Sequence, residues 1–273
     1  MAQFTNLLVV YDPTQEGQPA LERAAEIVDQ HSAKLHVFAC IHSDLEGTGD
    51  QSDAVKRLID QQQDILDKAT AFLVERGVEL STEVEWDRDW YHAVVRASVK
   101  NGSDMVLKSS YKHSAGKRML SKTSDWTLIR ECLCPVLLVK EAAQRDVLKV
   151  LAAVDITAKK ESYSRLNQNI LNFSKQILDT RGSNAEVHVI NAFQDVRAFP
   201  DREELVRDSG VESDNIHIRL GNPEDVIVDQ ARSLDVSLVV LGNSTRSGLA
   251  AALLGNTVEK VLDKLDCDVL SMP

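Results

Sequence analysis

Three glycines in one stretch of this 273-residue chain are placed to bring backbone close to an anion. In "LVVLGNSTRSGLAAALLGNTVEKVL", residues 238–262, an apolar run ends in Gly242, a polar loop carries Gly248, and Gly255 opens a helical pattern. Main-chain N–H groups at a glycine turn and at a helix N-terminus converge on phosphate or carboxylate oxygens, and a missing Cβ allows close approach. An earlier stretch, "LKSSYKHSAGKRMLSKTSDWTLI" at residues 107–129, has side-chain charge instead. Lys108, Lys112, His113, Lys117, Arg118 and Lys122 form a cationic cluster that suits either a side-chain anion site or a solvated loop. Two aspartates complete the set: Asp12 ends "NLLVVYD" and Asp155 ends "KVLAAVD". An aspartate after a strand closes an Asx turn or caps a helix, and it also offers an acceptor to a ligand.

The remaining reactive residue types point to structure. His36 and His188 sit in strand-like runs with no cysteine or carboxylate at metal-ligand spacing, so both are expected to be structural and no metal is expected. Cys132 and Cys134 lack the two-residue gap of a zinc or redox motif. Cys40, Cys134 and Cys267 adjoin apolar runs, as core cysteines do. Trp86, Trp90 and Trp126 fall in or near loops and helix starts of the first half, where a core or interface role is expected. There is no nucleophile elbow and no Walker-type Lys-Ser/Thr. A catalyst is not expected.

The elements that position these residues come in two copies. "NLLVVYDPT" at residues 6–14 returns as "KVLAAVDIT" at 149–157, and "AKLHVFAC" at 33–40 returns as "AEVHVINA" at 185–192. "CPVLLVK" returns as "CDVLSMP". The duplication predicts two domains, residues 1–143 and 144–273. Each reads as strands alternating with helices: Val/Leu/Ile runs for strands covered on both faces, and stripes such as Leu21, Ala24, Ala25 and Val28 for the helices. The fold class is α/β: two tandem doubly wound open sheets of five mainly parallel strands each, Rossmann-like, pseudo-dimeric within one chain. The second helix of the first copy is long and that of the second copy short, whereas the first helices have the reverse lengths. In such sheets ligands bind at the carboxyl ends of the strands where their order reverses, which selects the loops of Asp12, Asp155, Lys108 and Gly242.

Composition narrows the partners. Hydrophobic residues make up 43% and charged residues 27%, enough for a sizeable core. A net charge of −11 argues against direct nucleic-acid binding, which needs clustered cations. No apolar run approaches the roughly 20 residues of a membrane span. The first residues lack the pattern of a secretion signal, so a cytoplasmic location is expected.

Taken together, a strand ending in aspartate and a glycine loop after the fourth strand resemble the universal stress protein family, in its tandem two-domain form. The family's loop reads Gly, two residues, Gly, nine residues, Gly, then Ser or Thr. In the second copy Gly242 and Gly255 fit, Thr245 stands at the second glycine, and Asn256 and Thr257 follow. In the first copy Lys108 is read at the first glycine position, Tyr111 at the second and Lys122 at the third. "GNPEDVI" at residues 221–227 and the Asp125-Trp126 pair ahead of "CPV" add to the likeness. The resemblance implies a nucleotide-type site in the second domain: Asp155 accepting from sugar or base, with Gly242, Ser244, Thr245, Arg246, Gly248, Gly255, Asn256 and Thr257 around the phosphates. Asp12, Lys108 and Lys122 are its weaker counterparts in the first domain. The implied function is a non-catalytic ligand-sensing or scaffolding module of the stress response. The alternatives are an ATP or adenine-nucleotide switch, a weak ATPase, or a carrier of a partly apolar anionic ligand between the domains. ATP, at most one per chain, is the cofactor in question, and a homodimer is a possible further assembly.

Two outcomes are expected. Residues 1–140 expressed alone should self-associate, because an apolar edge strand left unpaired seeks another chain; a stable soluble monomer in sedimentation would contradict internal pairing of the edges. Thr245→Gly should tighten ATP binding at least tenfold by titration calorimetry. Glycine costs about 0.5–1 kcal/mol of loop entropy, whereas each backbone hydrogen bond regained to a charged phosphate contributes roughly 1.5–3 kcal/mol. An unchanged affinity would mean that the phosphates are held elsewhere.

Overall fold

The computed structural model describes residues 4–30, 32–44, 51–111, 118–140, 147–158, 161–243, 261–262 and 264–273. The chain divides into two compact units, one spanning Ala2–Val139 and the other Lys140–Pro273. The first unit runs β1 (Asn6–Tyr11), α1 (Pro19–Gln30), β2 (Lys34–Ile41), α2 (Gln51–Glu75), β3 (Leu80–Trp86), α3 (Trp90–Lys100), β4 (Met105–Ser109), α4 (Arg118–Glu131) and β5 (Val136–Val139). Its strands lie in the order β3-β2-β1-β4-β5, every pairing parallel. The second unit runs β6 (Leu148–Val154), α5 (Glu161–Arg181), β7 (Ala185–Phe193), α6 (Arg202–Ser209), β8 (Ile216–Leu220), α7 (Pro223–Leu234), β9 (Leu238–Gly242) and β10 (Asp268–Met272). Its order is β8-β7-β6-β9-β10, again all parallel. Both units are therefore doubly wound sheets, with strand order reversing between β1 and β4 and between β6 and β9.

The strands lack alternation because both faces are covered. Leu7, Leu8 and Val9 of β1 and Val150, Leu151 and Ala152 of β6 have no solvent exposure. At about 25 cal/mol per Å² of apolar area removed from water, these central strands carry much of the stabilisation. The helices differ between units as the sequence predicts: α2 has 25 residues against 8 in α6, and α5 has 21 against 12 in α1.

The "GNP" turn ahead of α7 has a definite local cause. Gly221 adopts φ +150°, and a Cβ there would lie 2.8 Å from a Val226 methyl. Asn222 then caps the helix by accepting from the Glu224 N–H, and Pro223 takes the first turn, where no N–H is needed. The result aims the amino end of α7 without strain.

Candidate functional site

The carboxyl ends of β1 and β6 hold their aspartates in the same way. In the second unit the Asp155 N–H donates to Asn167 Oδ1 at 3.1 Å, and Asn167 Nδ2 donates back to the Asp155 carbonyl at 2.7 Å. Asn191, fully buried on β7, accepts from the Ile156 N–H at 2.9 Å. The Asp155 carboxylate turns onto its own loop, where Oδ1 accepts from the N–H and hydroxyl of Thr157 at 3.1 and 2.6 Å. Among the described residues, Oδ2 has no hydrogen-bond partner, and Asp155 is exposed. One oxygen is thus fixed and the other is free to accept from a sugar hydroxyl or base amine.

The first unit repeats the device with different residues. Asp12 Oδ1 accepts from the Thr14 N–H and hydroxyl at 2.9 and 2.6 Å. The backbone of Asp12 is clasped by Gln18, whose amide accepts from its N–H at 3.0 Å and donates to its carbonyl at 2.7 Å. Gln18 immediately precedes α1, where a side chain would ordinarily cap the helix. Because its amide serves Asp12, Ser109 at the end of β4 takes over and accepts from the Ala20 N–H at 3.0 Å. Sequence reasoning missed Gln18, Asn167 and Asn191. Their signal was a carboxamide among apolar positions, which burial permits only when both amide ends are answered.

The strand register corrects one assignment. Lys108 lies opposite Val10, and Ala152 lies opposite Val240; carried along the duplicated strands, this sets Lys108 against Leu241. Ser109, not Lys108, therefore occupies the first glycine position, and the same one-residue shift moves the second position from Tyr111 to Lys112. The loop exits agree: Ser110 N–H donates to Val139 O and Asn243 N–H to Met272 O, both at 2.7 Å. Lys108 faces the other side of the sheet. Its ammonium is 2.8 Å from Asp125 of α4, 2.9 Å from the Ser109 carbonyl and 5.2 Å from the Trp90 ring centre. The side chains of Lys108 and Asp125 are only 12% and 14% exposed, so this cation already has its anion. Lys122, at the third glycine position, lies inside α4. Being the fifth residue of that helix, it has its N–H in the helical ladder and not free for a phosphate.

In the second unit, Gly242 has a packing reason of its own. A Cβ there would meet Leu166 of α5 at 2.5 Å, so the glycine lets helix and strand approach whether or not a ligand binds. Ser244, Thr245, Arg246, Gly248, Gly255, Asn256 and Thr257 lie outside the described residues. The structure thus brings Asp155 and Gly242 to the ends of the strands flanking the order reversal, β6 and β9, and Asp12 and Ser109 to those of β1 and β4. The Trp86 and His42 rings meet at a tilt, 5.5 Å between centres, beside a cleft of about 420 Å³ that also includes Val55, a feature the sequence reading did not mark. Among the described residues no group of three His, Cys, Asp or Glu side chains is disposed to hold a metal ion, and no helix is long and apolar enough to cross a membrane.

Two doubly wound domains in tandem, each with a clasped aspartate just after its first strand, define a tandem α/β fold. The model of the universal stress protein family matches residues 3–140 and again 143–273. The chain belongs to that family. It is similar to universal stress protein E of Photorhabdus laumondii, at 29% identity covering 100% of this chain and 96% of the relative. Universal stress protein E of Escherichia coli is also 29% identical, over 99% and 94%. Among solved structures, a putative universal stress protein from Pseudomonas aeruginosa is 29% identical with a TM-score of 0.76, covering 98% of this chain and 93% of that one. One from Archaeoglobus fulgidus, at 17% identity and TM-score 0.76 over 99% and 96%, shares the fold.

The Lys108–Asp125 pair yields a stability test. By the offset of 133 that relates the fourth and fifth strands of the two copies, Asp125 corresponds to Val258, as Lys108 does to Leu241. Asp125→Ala should lower unfolding stability by about 2–4 kcal/mol, because it leaves a buried ammonium without its counter-ion. Lys108→Leu combined with Asp125→Val should lie within about 1 kcal/mol of the parent. Urea unfolding of the single and double variants measures both. A double variant as unstable as the summed singles would show that the charges themselves support the fold.

Proposed function

We propose that this protein is a non-catalytic ligand-sensing or scaffolding module of the stress response, with one adenine-nucleotide-type site in its second unit. The observation that carries the reading is the asymmetry between the crevices. In the first unit the third loop position is inside α4, and Lys108 is neutralised by Asp125. In the second unit the Asp155 backbone is held by Asn167 and its Oδ1 by Thr157, and the sequence beyond Gly242 keeps Gly248 and Gly255. Family membership supports the stress-response role. The glycine spacing supports phosphate contact, and Thr245 weakens it.

Titration calorimetry with ATP and magnesium should show at most one site per chain, and Asp155→Ala together with Gly255→Asp should abolish the heat. Asp12→Ala should leave it unchanged. Two equivalent sites, or binding that survives the Asp155/Gly255 change, would overturn the assignment. Phosphate release above background in the same samples would replace the sensing module with a slow ATPase.

A further inference from the structure

The two copies bury a histidine at the same place but give it different partners. His36 on β2 and His188 on β7 are 5% and 4% exposed. Strand register places Glu83 opposite Phe38 and His217 opposite Ile190, so Glu83 and His217 are equivalent. In the first unit His36 lies 3.3 Å from the Glu83 carboxylate and 2.8 Å from the Ser81 hydroxyl. In the second unit the carboxylate is replaced by an imidazole: His217 Nε2 is 3.2 Å from His188 Nδ1. His188 Nε2 is 3.0 Å from Glu186.

The proton inventory of this pair is fixed by the carboxylate. Glu186 only accepts, so His188 carries its proton on Nε2, which leaves Nδ1 to accept from His217 Nε2–H. One added proton can be shared across the contact. A second sets N–H against N–H and places two cations side by side in a buried site. Among the described residues the charged groups acting on the pair are Glu186 on β7, Lys149 on β6, Arg219 on β8 and Arg202 at the start of α6, so three of these four are positive. Burial accordingly pushes both histidines down from their ordinary value, His217 to about 4, with His188, Arg219 and Arg202 adding repulsion.

We propose that His188 and His217 form an acid-operated clasp that holds edge strand β8 and helix α6 onto the second unit and releases them when both rings are protonated. β8 lies at the end of its strand order and has β7 as its neighbour. Arg202 ties α6 to the same segment through the Ser213 and Ile216 carbonyls at 2.8 and 2.7 Å, so the two elements leave together. The sign follows from linkage. A folded pKa below the unfolded value of about 6.5 means that the opened segment binds protons more tightly. The clasp is closed above that value and loosens as pH falls toward 4, up to about tenfold per pH unit for each proton taken up. In the first unit an imidazolium at His36 would face Glu83, so acid has less effect there. This input is independent of any nucleotide at Asp155.

Hydrogen–deuterium exchange of the full chain at pH 7 and pH 4.5, corrected for intrinsic exchange rates, tests the clasp. The amides of Ile216–Leu220 should lose at least tenfold more protection than those of Leu80–Trp86, the equivalent strand of the first unit. His217→Gln keeps a donor toward His188 but cannot titrate, and should reduce the excess loss to less than threefold. An equal loss in both strands, or an unreduced loss in the His217→Gln protein, would overturn the proposal. Should that variant fail to fold, the comparison of β8 with β3 in the parent still decides.

Discussion

A side-chain amide that answers both the N–H and the C=O of one backbone residue fixes the carboxyl end of the first strand of each domain. Asn167 does this for Asp155 and Gln18 for Asp12, each at 2.7 to 3.1 Å. The residue after a central strand has just left the ladder, and its polar groups are half-buried with no neighbour strand to meet them. A carboxamide presents a donor and an acceptor side by side in one plane, as a strand backbone does, so it substitutes for the missing strand. With the aspartate backbone held, its carboxylate is aimed by Thr14 or Thr157. The use of two different residues, one just ahead of α1 and one within α5, shows that geometry, not residue identity, has persisted through the duplication.

The copies have diverged most where the fold tolerates it. Across the β4–α4 contact the first unit has Lys108 and Asp125 under Trp90, and the second has Leu241 at the strand position. A buried ion pair and an apolar pair of like volume are close in net free energy, so such an exchange is nearly neutral provided both partners change. Glu83 and His217 likewise occupy equivalent register positions with different chemistry. Fold and charge chemistry are therefore separable here: the sheet order is identical in the two halves while their titratable contacts are not.

Much of the architecture was legible in the sequence because burial on both faces makes parallel strands apolar throughout and the duplication doubles each signal. The lengths of α2, α5 and α6 followed directly. The one-residue error at Lys108 is exposed by the sheet register, which sets Leu107 on Val240 and Lys108 on Leu241. Gln18, Asn167 and Asn191 were missed because their amide contacts span 6, 12 and 35 residues and follow no fixed spacing, and Asp125 as partner of Lys108 was missed for the same reason.

The contact between Gly242 and Leu166 limits how this chain can be recombined. Leu166 occupies the volume a Cβ on β9 would need, whereas the first unit fills that corner with Ser109 and the Ala20 amide. A strand moved alone from one half to the other would arrive with either a clash or a void at the helix. The smallest interchangeable piece is strand plus facing helix, so the halves drift as coupled blocks and gene conversion between them is confined to segments that carry both.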